Sequence, residues 1–255
     1  MIHIKNQKAQ DGMRRAGRVA ARVLDDVVRF VRPGVTTREV DDYGADRIRE
    51  LGGRSAFLGY RRYPCHLCIS VNEEVVHGLA SDRRLQFGDI VSVDVGVHFE
   101  GFIGDNARTV AVGGCRPEHQ RLMEVTQQAL DAGVAQARSG NCVADISGAV
   151  QELVESHGYS VVREFVGHGV GRSMHEEPQI PNYVDRRGRK ASPQLKAGMT
   201  LAIEPMVNAG RAGVRVLADG WTVVSEDGLP SAHFEHTVLV TAAEPEILTC
   251  LAPAL

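Results

Sequence analysis

The sequence predicts an α+β protein built as two related halves, each with helices first and strands after. Three observations carry that reading. Helix-period and strand-period segments come in blocks: helices to about residue 55, strands and loops to 112, helices to 158, then strands and loops again. Leu24, Asp25, Arg32, Gly34, Glu39, Val40 and Gly52 recur 106 positions later as Leu130, Asp131, Arg138, Gly140, Asp145, Ile146 and Gly158. Finally, LQFGDIVSVD and LKAGMTLAIE align at an offset of 110, and each ends on an acid, Asp94 or Glu204. Residues 1–255 are therefore read as one domain with an internal duplication, approximately 10–115 and 116–250.

Asp11 is expected to cap the first helix, whose Met13, Ala16, Ala20, Val23, Leu24, Val27 and Val31 fall close to a 3.6-residue period. Arg32-Pro33-Gly34 stops it. Thr36 followed by Glu39 is a capping box for a second helix carrying Val40, Tyr43, Ile48 and Leu51, which Gly52-Gly53 ends. In the stretch 89–109, Ile90, Val91, Val93 and Val95 surround Asp94, a connection through Glu100 and Gly101 leads to Asp105, and an apolar run resumes at Thr109. That pattern reads as two strands meeting in a hairpin-like turn. Pro117 and Glu118 begin a third helix with Leu122, Val125, Leu130 and Val134 inward, ending near Gly140. A fourth runs through Ile146, Val150, Leu153 and Val154 to Gly158. Asp105 before Arg108-Thr109-Val110 answers to Glu235 before His236-Thr237-Val238. Glu204 and Glu235 stand 31 positions apart, against 11 for Asp94 and Asp105, an insertion that includes Trp221.

Composition narrows the function. A chain of 255 residues, 43% hydrophobic, can bury a sizeable core, and a formal charge of −3 gives no reason to expect DNA or a membrane surface as partner. The apolar runs are too short and interrupted to span a bilayer, and the N-terminus lacks a secretory signal's apolar core and cleavage site. Five cysteines, Cys65, Cys68, Cys115, Cys142 and Cys250, without framework spacing, predict free thiols in a reducing compartment and a cytoplasmic protein.

Asp94 occupies a place where strand alternation would put a core residue. An unpartnered carboxylate there costs several kcal/mol, roughly, and no Lys or Arg is nearer in sequence than Arg108, so a metal is the economical partner. Two halves facing each other bring Asp94, Asp105, Glu204 and Glu235 to one pseudo-two-fold axis. Four carboxylates at one point raise each other's pKa values unless cations intervene, and two divalent ions balance their formal charge. His168, between Gly167 and Gly169, offers the nitrogen donor such a set lacks, and a mostly oxygen set suits manganese, iron, cobalt or zinc.

The other motifs carry less. His175-Glu176-Glu177-Pro178 begins like HExxH, but no second His follows and Pro178 interrupts the required helix. His77 stands in the first half roughly where His175 stands in the second; both suit a donor to an oxyanion or a hold on a substrate amine. Cys65-His66-Leu67-Cys68 has no second pair at zinc-finger spacing, and the Gly-x-Gly of 167–171 lacks a dinucleotide fold's setting. Arg186, Arg187, Arg189 and Lys190 read as a solvated basic loop.

CISVNEEVVHG, DIVSVDVGV, GFIGDNART, GHGVGRSMHEEP, LAIEPMVNAG and FEHTVLV together resemble the signatures of the type I methionine aminopeptidases, and the likeness runs from about residue 10 to 250. The resemblance implies the pita-bread fold: two αβ halves about a pseudo-two-fold axis, with antiparallel sheet and helices on the outer face. It implies Asp94, Asp105, His168, Glu204 and Glu235 as ligands of two divalent ions, with Asp105 and Glu235 bridging. It further implies that a water between the ions attacks the carbonyl of the initiator methionine of a nascent protein, chiefly where the second residue is small. Glu204 would accept the proton, His175 stabilise the oxyanion and His77 contact the scissile nitrogen. Tyr60, Tyr63, Cys68 and Trp221 match the methionine pocket, whereas Phe57 and Met174 depart from the bacterial pattern of Cys and Phe. Ribosome association, a property of the family, would make the basic run, Arg211 and Arg215 contacts, and a monomer is expected. Two alternatives stay open: an Xaa-Pro peptidase of the prolidase or aminopeptidase P kind, and a metal-free binding module on the same fold.

Overall fold

The computed structural model describes residues 2–184 and 192–251. Among the described residues there are four α-helices: α1 Gln7–Phe30, α2 Thr37–Glu50, α3 Pro117–Ala135 and α4 Val143–Ser156. The first-half strands are β1 Arg54–Ser55, β2 Cys68–Val71, β3 Glu74–Val76, β4 Ile90–Phe99 and β5 Phe102–Ala111. The second half adds β6 Ser160–Val161, β7 Gly167–Gly169, β8 Glu176–Ile180, β9 Thr200–Ile203 and β10 Met206–Asn208. It continues with β11 Val214–Val216, β12 Val223–Ser225, β13 Ser231–His233, β14 Glu235–Leu239 and β15 Glu246–Ile247.

The helix ends follow local chemistry. Asn6, not Asp11, caps α1: its side chain accepts from Ala9 N–H, and Asp11 lies inside the helix, where it pairs with Arg14. Thr36 and Glu39 form the expected capping box. Cys142 and Asp145 form the corresponding box on α4. The third helix stops at Ala135, short of Gly140, because the next turn leaves the helical path to bond through Ala137 and Arg138.

Matched positions of the two halves behave alike. Gly34 and Gly140 take φ of 89° and 99°, Gly52 and Gly158 77° and 80°, and Gly88 and Gly198 100° and 92°, a left-handed region glycine enters without strain. Gly34 N–H donates to Leu85 O and Gly140 N–H to Leu195 O, at 2.8 and 3.0 Å.

One nine-stranded antiparallel sheet runs β1-β4-β5-β14-β9-β7-β8, with β2 also on β4 and β15 on β14, among the described residues. The β5–β14 pairing, Glu235 opposite Ala107 and His236 opposite Asn106, joins the halves. Helices α1 and α2 pack Val23, Leu24, Val40 and Ile48 with Val91, Val93, Val95 and Val97 of β4. Helices α3 and α4 pack Leu130, Ile146 and Val150 with Leu201, Ile203 and Val238. The odd positions of β4 therefore face helices, and Asp94 lies on the opposite face. That differs from the expectation that it replaces a core residue: β4 is buried on both sides, so alternation sends apolar residues one way and the carboxylate the other.

Register then decides the site. Asp94 pairs with Ala107, Gly96 with Asp105, Ala107 with Glu235, Thr237 with Ala202 and Ala202 with His168. Directly paired residues share a face, so Asp94, Asp105, Glu235 and His168 all project from the side without helices. Glu204 follows β9 at the next same-face position.

The basic run at 186–190 lies outside the described residues. Arg211 and Arg215 are exposed. No helix among the described residues is long and apolar enough to cross a membrane.

Candidate metal centre and active site

Asp105, His168 and Glu235 present donor atoms within 4.8 Å of one another at the centre of the sheet. His168 Nε2 lies 3.7 Å from Asp105 Oδ2 and 3.4 Å from Glu204 Oε1. Asp105 and Glu235 are each 2% exposed and His168 6%, while Asp94 and Glu204 open onto a cavity. The glycines flanking His168 are there for space: a Cβ on Gly167 would sit 2.4 Å from Ala202 O, and one on Gly169 2.3 Å from Glu177 O. His168 Nδ1 lies 2.9 Å from Gly169 O, so it serves as the N–H donor and Nε2 is left free to accept or ligate.

The residues fit a cation. Asp94 Oδ1, Asp105 Oδ1 and Glu235 Oε1 are buried without a hydrogen-bond partner. Arg61 is the only Lys or Arg lining the cavity among the described residues. Burial pushes Asp94 up from 3.8 to about 7. Burial, then the neighbouring carboxylates, pushes Asp105, Glu204 and Glu235 well above their ordinary range. Burial lowers His168 to about 3, keeping it neutral as a ligand must be. Such a set is satisfied by divalent ions, which replace the missing partners.

Linkage turns these shifts into an expected pH dependence. A carboxyl group whose folded pKa exceeds its unfolded one stabilises the fold while it keeps its proton, so that contribution fades as pH rises. Burial lowers His77 to about 4 and His168 and His233 to about 3, and their contribution runs the other way, but above their ordinary 6.5 they are neutral in both states. From pH 6.5 to roughly 8 the metal-free protein should therefore lose thermal stability as Asp94 and then its neighbours ionise. Added divalent cation should remove that slope. Calorimetric melting points that stay flat or climb over this range without metal would contradict it.

The cavity above the cluster measures about 290 Å³. Phe57, Tyr60, Tyr63, Cys68, Met174, Trp221, His77 and His175 all line it, so every residue expected at the pocket is there. Cys68 pairs with Asp94 across β2 and β4, which sets its thiol on the cavity face. Cys65 and Cys68 are both buried free thiols. Phe57 lies over Gly96, where a Cβ would come within 2.5 Å of its ring. Tyr63 donates to Gly78 O at 2.8 Å and meets Trp221 edge-on at 5.1 Å. Trp221 reaches the cavity because β12 pairs with β3, Val223 opposite Val76, and because Asp219 accepts from Trp221 and Thr222 N–H in a tight turn. His77 sits at φ 59°, an uncommon value for a residue with a side chain, with its ring edge-on to Phe165 at 5.3 Å. His175 stacks on Tyr60 at 5.3 Å, and the Tyr60 hydroxyl lies 2.8 Å from its Nδ1. His175-Glu176-Glu177-Pro178 enters strand β8, so no HExxH helix forms.

Sequence reasoning missed His233, Phe165 and Met206. His233 is 2% exposed, its Nε2 lies 3.9 Å from Glu204 Oε2, and that nitrogen has no hydrogen-bond partner among the described residues. The only signal was its place two residues before Glu235 in HFEH.

Comparison with known proteins agrees with this geometry. Residues 11–242 match the model of metallopeptidase family M24. The chain belongs to that family. As an M24 metallopeptidase, its use of divalent metal follows from family membership. It is 46% identical over 251 residues to a methionine aminopeptidase of Clostridium perfringens, covering 98% of this chain and all of the relative. It superposes on the methionine aminopeptidase of Thermotoga maritima with a TM-score of 0.94 at 44% identity, covering 98% and 99% of the two chains. Prolidase from Pyrococcus furiosus shares the pita-bread fold at TM-score 0.78 and 24% identity, but this M24 chain spans only 66% of it.

Proposed function

We propose that this M24 chain is a methionyl aminopeptidase that removes the initiator methionine from nascent proteins, preferring a small second residue. The carrying observation is a buried acid and histidine cluster at the floor of an apolar pocket of about 290 Å³. Tyr63, Trp221, Phe57, Met174 and Cys68 give it aromatic and sulfur surfaces suited to one flexible thioether side chain. Ions held by the acids beneath it would also receive the free α-amine of a peptide's first residue, which would account for cleavage only at the N-terminus.

Asp94, Asp105, His168, Glu204 and Glu235 would hold two divalent ions, cobalt, manganese, iron or zinc, which supply Lewis-acid polarisation of the scissile carbonyl and of water. Glu204, which keeps 14% of its side chain exposed, takes the proton from the attacking water at a carboxylate oxygen and passes it to the leaving amine. Burial lowers the pKa of His175, so its ring is neutral. With the Tyr60 hydroxyl, 2.8 Å away, donating to Nδ1, Nε2–H would be the donor to the developing oxyanion. His77, also neutral, contacts the scissile nitrogen. Within the same proposal, the chain is one domain whose two halves arose by duplication.

Assaying Met-Ala-Ser against Xaa-Pro peptides, with and without added metal, tests the reading. Metal-dependent release of methionine from Met-Ala-Ser, with Xaa-Pro peptides intact, is the expected result. Preferential cleavage of the Xaa-Pro bond, or no cleavage of either, would overturn it.

A further inference from the structure

The residues before α1 lie against the turn that carries His175. Ile2 bridges to Glu177, and Lys5 N–H donates to Gly198 O at 2.8 Å. The Lys5 side chain, 8% exposed, places Nζ 2.7 Å from Glu176 Oε2, whose side chain is 10% exposed. Glu176 Oε1 accepts from the N–H groups of Arg172 and Ser173 at 3.0 and 3.4 Å. A Cβ on Gly171 would come within 2.3 Å of that same oxygen, so the turn closes tightly round the carboxylate. Residues 171–175 have no regular secondary structure of their own. Glu176 is thus the post round which the turn is wound, and Lys5 holds the post from 171 positions away in the sequence.

We propose that Lys5 is a positioning residue: through its buried ion pair with Glu176 it fixes the turn 171–176 and so aims the His175 ring into the cavity. The inference rests on the aminopeptidase reading and deepens it. Nothing else about the pair requires a buried lysine. An exposed one would serve solubility, and an apolar residue would pack the strap against β8 without the cost of burying charge. The charge is useful because an ionised carboxylate both pairs with Nζ and makes stronger bonds to the two backbone N–H groups than a neutral acceptor does. Burial alone would raise Glu176, and the bond to Lys5, first among the opposing influences, brings it below its ordinary value.

The test is Lys5→Met, read in two ways. In the metal-free protein, the ring ¹⁵N and ¹H resonances of His175 should shift and broaden, while those of His77 and His236 stay in place. In the metal-loaded enzyme, kcat on Met-Ala-Ser should fall about tenfold or more while KM changes less than about threefold, because alignment and not binding is lost. Lys5→Arg should recover most of the kcat. Should Lys5→Met fail to fold, Glu176→Gln keeps an acceptor for the Arg172 and Ser173 amides, removes the charge, and should reproduce both effects. Wild-type His175 resonances and kcat in a folded Lys5→Met or Glu176→Gln variant would overturn the proposal, even with a lowered melting point. A wild-type enzyme inert toward Met-Ala-Ser would sink the aminopeptidase reading alone, since the ring resonances still decide whether Lys5 positions His175.

Discussion

Asp105→Ala is expected to abolish turnover together with metal uptake. Asp105 projects from β5, the first-half strand that joins the second half, opposite Gly96, and is one of the three residues whose donor atoms lie within 4.8 Å of each other. Its strand position is fixed twice over. Its N–H donates to Thr237 Oγ1 at 3.2 Å, and that hydroxyl donates back to Asp105 O at 2.8 Å. Removing the carboxylate therefore deletes ligand atoms without freeing the backbone, and the loss is chemical before it is structural. His168→Ala should behave alike, because the β7–β9 pairing holds the position whatever its side chain. Metal content by mass spectrometry, with methionine release measured alongside, checks both. A variant that keeps its full metal complement removes that residue from the ligand set.

His175→Ala should show the opposite split. Its ring lies 4.2 Å from that of His168, close to the cluster, yet its Nδ1 is taken up by Tyr60. Metal content should stay unchanged while kcat drops roughly 10²–10³-fold, about 3–4 kcal/mol, the range seen when one oxyanion donor is removed. The assay that matters is kcat at saturating metal and peptide. Turnover at the wild-type rate would take His175 out of the chemistry.

Much of this was legible in the chain because it is written locally. The capping box at Thr36 and Glu39 is three residues wide, and the left-handed glycines at 34, 52 and 88 repeat at 140, 158 and 198. Asp94 and Asp105 could be read from their strands and matched through the repeat to Glu204 and Glu235, while His168 stood out between two glycines. Other features depend on contacts that no window displays. Tyr60 and His175 are 115 positions apart, and Lys5 and Glu176 171. The cap on α1 was misplaced because Asn6 precedes a polar stretch, Gln7-Lys8-Ala9-Gln10, that hides where the apolar period begins. His233 escaped because it ends a short strand of another sheet, β13 on β10, and reaches Glu204 only through the fold.

The departure of the second half from the first gives the cavity a direction. A cradle made of two equal sides would accept a bound chain either way round. Here His168 comes from the second half alone, and the connection between β11 and β12 adds the Trp221 indole to the cavity wall. Under the proposed aminopeptidase function, a peptide would lie with its first side chain against that indole and the rest of the chain leading outward, so that the asymmetry of the halves would serve as a ruler for one residue.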